Sequence, residues 1–131
     1  MVPVFGPHGR FEAVLSSSGG RLEFESVGFE CVVEGDDLWH ALARLREEHL
    51  EPRSLLLGCA GVRRDVYPSR MSRQMSGGRR AYRCRLGHPA DASDLVDVLS
   101  VESDPSSLAT CGEQLRIHNE WIEGFAALEV P

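Results

Sequence analysis

The chain contains no lysine; all fourteen of its basic residues are arginine. That absence excludes a P-loop lysine, a Schiff-base lysine and a lysine general base. Arginine stays charged and grips planar oxyanions bidentately, so its cationic surface suits recognition better than proton transfer. Long apolar runs are missing too: none approaches the roughly 20 residues that span a bilayer. No basic n-region followed by an apolar h-region opens the chain, so a cytoplasmic location and no membrane partner are expected.

Other absences narrow the chemistry. Cys31, Cys59, Cys84 and Cys111 form no CxxC or CxxH spacing, so no metal site is expected and the thiols read as reduced, small buried hydrophobes. The glycines match neither GxGxxG nor GxxxxGK[ST]. Cys59, at the end of an apolar run, is the one candidate nucleophile, but His8, His40, His49, His88 and His118 are scattered and none pairs in sequence with a carboxylate. No catalytic residue and no cofactor are assigned, and binding is favoured over catalysis. His49 and His118 each fall on an apolar helix stripe and read as hydrogen-bonded structural residues.

What is present is a lopsided charge. Between Arg53 and Arg85 lie nine arginines and one acid, Asp65, a local +8; the other five arginines and nineteen acids give −14, making the chain's −6. Nucleic acid is disfavoured as a partner, because an acidic remainder repels a phosphate backbone and the aromatics near the arginines are few. The residues expected to contact a protein partner or a small anionic ligand are Arg63, Arg64, Asp65, Tyr67, Arg70, Met71, Arg73, Met75, Gly77 and Gly78. The GCAG turn after Leu57 could lend backbone N–H groups to an anion held by the 58–80 loop, or simply allow a tight exit from a crowded strand. Some arginines could instead neutralise the chain's own carboxylates. Self-association stays open.

At 131 residues and 42% apolar content, one domain with a sizeable core is expected. Residues 1–8, with two prolines and a glycine, read as a loose lead-in. RFEAVLS from Arg10 and RLEFESV alternate apolar and polar residues and predict a hairpin around the Ser16–Gly20 turn. GFECVVEG continues as a third strand, with Phe29, Cys31 and Val33 on one face. Asp36 predicts the N-cap of a helix over 37–50 carrying Leu38, Leu42, Leu45 and His49, closed by Pro52. SLLLGCA (54–60) reads as a central strand covered on both faces.

The connection 61–78 is expected to be ordered by Val66, Tyr67, Met71 and Met75, with a turn or two of helix capped by Ser69 or Ser72. RAYRCRL follows as a strand. Residues 91–99 suit either a helix capped by Asp91 or Ser93 or a strand; the helix is preferred. Asp104–Pro105 predicts the start of a final helix over 105–126, with Leu108, Cys111, Leu115, His118, Ile122 and Phe125 on its apolar face. The pattern is α+β: a small, mainly antiparallel sheet packed by two or three helices in a single domain over 1–131.

The stretch RRDVYPSRMSRQMSGGRRAY, followed by GHPADASDLVDVL, resembles a small family of bacterial proteins with a motif of the form R-x-D-V-[YW]-P-S-G-M, then glycines and A-Y. The likeness covers about residues 55–100 and, weakly, the last helix. Some members lie beside polymorphic-toxin genes, so the resemblance implies an immunity-type inhibitor of a toxin. Arg70 and Ser76 stand where that motif carries glycines.

Overall fold

The computed structural model describes residues 1–85 and 87–129, with side chains through Gly124. Leu86 and the side chain of Phe125, both assigned above, lie outside the described residues. The fold is α+β and rests on a curled five-stranded antiparallel sheet ordered β4-β3-β2-β1-β5. Its strands are β1 (Val2–Gly6), β2 (Gly9–Ser18), β3 (Arg21–Glu25), β4 (Glu30–Glu34) and β5 (Leu56–Leu57). One face is solvated, and the period-two pattern survives on it: Leu22 and Phe24 are buried while Arg21, Glu23 and Glu25 face water. The β2–β3 connection is only Gly19–Gly20, because Ser16 to Ser18 remain paired in the strand. Gly19 supplies the positive φ of 57° that so short a turn requires.

Residues 2–6 are not a lead-in. β1 sits between β2 and β5, with Val2 and Val4 buried. Pro3 is fully buried as well, and its carbonyl accepts from Gly58 N at 2.7 Å. SLLLGCA likewise yields only the two residues of β5, and these form an edge paired to β1 alone. The apolar run that suggested a central strand is covered instead by turns and by the segment around residue 100, with Cys59 bridging Val101.

Helix α1 (Leu38–Leu45) lies on the concave sheet face, and Leu38, Ala41, Leu42 and Leu45 meet Val4, Leu22, Phe24 and Val33 in one core. Full burial of each large apolar side chain here contributes about 1.5–3 kcal/mol. Asp37, not Asp36, is the N-cap, its carboxylate accepting from His40 N at 2.8 Å. The expected helix to residue 50 does not stay α-helical. Residues Arg46–Leu50 form a π turn, with Glu51 N donating to Arg46 O. Pro52, which has no N–H to continue the ladder, stands in the 3₁₀ turn Glu51–Arg53. The wider turn keeps Leu50 buried five residues after Leu45, leaves His49 half-buried, and turns Arg46 inward until it is 2% exposed.

A second sheet, β6 (Val66–Tyr67), β7 (Arg80–Arg83) and β8 (Leu95–Asp97), is antiparallel in the order β6-β7-β8. Residues 91–99 therefore take the strand alternative: Asp91 caps only the 3₁₀ turn Ala92–Asp94 before β8 begins. Asp104 and Pro105 also open a single 3₁₀ turn, Pro105–Ser107. The chain then extends through Leu108, which bridges Arg63, before α3 (Cys111–Glu129) starts. Thr110 and Glu113 cap α3 reciprocally, Glu113 N donating to Thr110 Oγ1 and Thr110 N to Glu113 Oε1. Its docked face is Cys111, Gln114, Ile117, His118 and Trp121; Leu115 and Ile122, placed above on the apolar face, are 46% and 48% exposed.

Arg46 and Gln114 tie the layers together. The Arg46 guanidinium donates to Gln114 Oε1 at 2.7 Å and to Ala109 O at 2.8 Å. Gln114 Nε2 lies within 2.7–2.8 Å of the carbonyls of Gly61, Arg63 and Val66, its two protons shared among three acceptors. Glu51 supplies the opposing charge, 3.8 Å from Arg46 Nε, and accepts from Cys111 N at the start of α3. This network fixes the 61–66 segment and so the base of the arginine-rich region.

Candidate functional site

The arginine-rich stretch is built from regular structure: the 3₁₀ turn Ala60–Val62, β6, and helix α2 (Arg70–Ser76). Ser69 and Ser72 form a reciprocal cap at the start of α2, and Gly77, at φ 63°, ends it. Val66 and Tyr67 pack inward as expected. Met71 and Met75 do not: they are 67% and 82% exposed. Caps and the contact with α1 hold this helix, not the methionines.

The glycine pair has a structural task. Leu38 N donates to Gly77 O at 2.9 Å, joining the end of α2 to the start of α1. At Gly78, φ is +81°, and an added Cβ would lie 2.6 Å from Trp39 N and 2.8 Å from Asp37 Cγ. The GCAG amides are similarly engaged. Gly58, Cys59, Ala60 and Gly61 donate to the carbonyls of Pro3, Leu57, Ser100 and Val98, so the turn exposes no cluster of N–H groups to an anion.

The predicted site residues separate into two groups. Arg63, Arg64 and Asp65 lie at the base. Arg63 clasps Asp65 at 2.8 and 3.0 Å and also donates to Glu102, while Arg83 reaches Asp65 at 3.3 Å from β7. Arg64 donates to the carbonyl of Ser106. Around α2, Arg73 forms a two-pronged contact with Asp37 at 2.8 and 3.0 Å. Arg79 pairs with Asp97 and Arg85 with Asp94. The carboxylates that answer the local +8 thus come from distant parts of the chain. Arg70 and Arg80 are exposed and have no partner among the described residues.

These pairs set an acid limit. Burial opposes ionisation of Asp65, but hydrogen bonds from Arg63 and the charges of Arg63 and Arg83 prevail and hold its carboxyl below the ordinary 3.8. At Asp37, burial is likewise outweighed by Arg73 and the His40 amide. A carboxyl depressed in the folded state contributes stability above its unfolded pKa and loses it as pH falls through the folded value. On account of these carboxyls the unfolding midpoint is therefore expected to fall as pH drops below about 4. Asp65→Asn should lie below the wild type at neutral pH and lose less on acidification. Equal losses for the two proteins in a thermal scan against pH would show that Asp65 is not involved.

Beside α2 runs a column of stacked rings that crosses three elements. Trp39 meets the edge of Tyr67 at 5.4 Å, Tyr67 stacks on His118 at 4.1 Å, and His118 on Trp121 at 5.8 Å. Trp121 Nε1 donates to Arg85 O at 2.8 Å and His88 O at 3.2 Å, which locks its ring. Tyr67, His118 and Trp121 join Tyr82, Met71 and Pro89 around an apolar cleft of about 470 Å³. His118 is held by stacking, and its Nδ1 is buried without a hydrogen-bond partner. Burial pushes its pKa down, so the ring is neutral at pH 7.

Of this cleft, Tyr67 and Met71 are among the site residues expected from the sequence. Two signals point to the rest. RAYRCR places Tyr82 and Cys84 on one strand face, and His118 and Trp121 are three apart on α3. No hydrolytic thiol is available at Cys59: it is buried, and burial pushes its thiol to about 12. Cys84 and Cys111 are raised by burial to about 11 and about 12. The sequence matches no protein-family model and no curated protein.

Proposed function

We propose that the protein is a non-enzymatic binding protein, in its sharpest form an immunity-type inhibitor of a bacterial toxin, which meets its partner with the face around α2. The observation that carries the reading is the outward side of that helix. Met71, Met75 and Arg70 face water on an element fixed at both ends, while Arg63, Arg64, Arg73, Arg79, Arg83 and Arg85 are all engaged within the fold. Exposed methionines on a rigid support adapt to a partner's shape, and arginine is enriched among interface hot spots. The raised thiols and the lack of a nucleophile–base pair among the described residues favour binding over catalysis. The resemblance of residues 55–100 to proteins found beside toxin genes supplies the toxin as the class of partner.

The test is growth protection when the protein is co-expressed with the toxins of its gene neighbourhood. Wild type is expected to restore growth, and Arg70→Glu combined with Met75→Glu to abolish protection. Both sites are exposed, so the unfolding midpoint should move by less than about 2 °C. Unaltered protection by the double variant, or no neighbouring toxin neutralised by the wild type, defeats the proposal.

A further inference from the structure

The aromatic cleft does not end at α2. Its lining residues Met71 and Tyr82 also line a second hollow of about 400 Å³ bounded by Met75, Leu95, Arg79 and Arg80. The two adjoin at Met71 and Tyr82, which wall both, and are taken together as a groove with an aromatic lobe and a cationic lobe. Among the described residues no carboxylate lines either lobe, although the chain as a whole carries −6. Arg79 is held by Asp97; Arg80 has no partner among the described residues. Arg70, on the same helix as Met71, lines a different hollow together with Asp36 and Asp37.

Building on the binding role argued above, we propose that this groove takes an acidic segment of the partner protein, a bulky apolar side chain filling the aromatic lobe and carboxylates meeting Arg80. Charge complementarity selects this occupant. Elsewhere the protein turns an acidic surface to solvent: on the outer face of β3 and β4, Glu23, Glu25, Glu30 and Glu34 outnumber Arg21. An acidic partner is repelled there and attracted here, which fixes where and in which direction it docks. An apolar anchor is required because the first lobe is walled by Tyr67, Tyr82, His118 and Trp121, and its histidine is neutral at pH 7. Arginine at the rim, planar and weakly hydrated, then pairs with the flanking carboxylates.

A random dodecapeptide library displayed on phage, selected on the wild-type protein, tests this without presupposing a partner. The recovered peptides are expected to carry a Trp, Phe or Leu within a few residues of several Asp or Glu. Synthesised and measured by fluorescence polarisation, they should bind Arg80→Glu about tenfold or more weakly than wild type, with affinity falling as salt rises. Tyr82→Ser should also bind weakly; Arg80→Glu, at an exposed site, guards against a folding artefact in that variant. Recovery of neutral or basic peptides, equal binding by Arg80→Glu, or no enrichment overturns the inference. Displacement of the peptide by single-stranded DNA at physiological salt does the same, as does a self-associated form whose formation Arg80→Glu blocks. If toxin protection fails with Arg70→Glu and Met75→Glu but survives Arg80→Glu and Tyr82→Ser, the binding role stands and the groove's assignment alone falls.

Discussion

Gln114→Ala is expected to cost about 3–5 kcal/mol, near the upper end of what single substitutions do. Gln114 is 2% exposed, and its amide carries four of the contacts that hold α3, the 61–66 segment and the π turn together. Truncation takes the amide donor from the Val66 carbonyl and leaves those of Gly61 and Arg63 with only the longer contacts from Arg46 Nη1 at 3.4 Å and Val66 N at 3.2 Å, at about 1–3 kcal/mol for a buried carbonyl that no water reaches. It also strips a neutral acceptor from a buried guanidinium whose Nε already lacks a hydrogen bond. The thermal midpoint should fall by roughly 10–20 °C for a chain of this size. Arg46→Met fills similar volume without a charge and should be milder, because the desolvation of the guanidinium disappears along with its bonds. If Gln114→Ala loses under about 1 kcal/mol in urea titration, water replaces the amide and the network is not what joins the layers.

The second large effect is expected at Asp37. Its carboxylate caps α1, accepts two bonds from Arg73 of α2, and lies under Gly78. Loss of the cap alone costs about 1 kcal/mol. The Arg73 contact adds less than a buried pair would, since that side chain is 39% exposed and its charge partly screened. Asp37→Ala should lose about 2–3 kcal/mol in total and loosen α2 from α1, weakening partner binding along with stability. Arg73→Ala keeps the cap and should lose about 1 kcal/mol. Comparison of both single variants with the double in a mutant cycle isolates their coupling. Equal losses from the two single variants would mean that the cap contributes nothing.

Strands β2 to β4 are legible in the sequence because each has one wet and one dry face, and their residues alternate accordingly. β1 is hidden for the opposite reason. Covered on both sides, VPVF alternates nothing, and its buried Pro3 has the look of a loop. In α3 the three-and-four spacing of Leu115 and Ile122 selects the wrong face, because the core position goes to a glutamine whose value lies in the carbonyls it meets. The same holds for Arg46, a charge that local pattern assigns to the surface. The surplus of arginine is plain in the sequence, yet Asp37, Asp94, Asp97 and Glu102 become its partners only through the fold. That reduces the unpaired cations of the predicted site to Arg70, with Arg80 added from β7. The aromatic cleft is hard to read for a related reason: Tyr67, Tyr82 and Trp121 come from three elements.

The π turn at Arg46–Leu50 also decides which changes of length the chain tolerates. A single residue deleted within it would restore ordinary α-helical winding at little local cost, since the wide turn contains one residue more than that winding needs. Every position beyond the deletion would then keep its face, because Leu50 would follow Leu45 by four residues of ordinary helix where it now follows by five through the wide turn. Leu50 would stay in the core, and Glu51 beside Arg46 and the start of α3. A residue removed between Leu42 and Leu45 instead would turn Leu45 by about 100° out of line with Leu38 and Leu42 and undo the core. In this segment the number of residues is as much a part of the code as their identity.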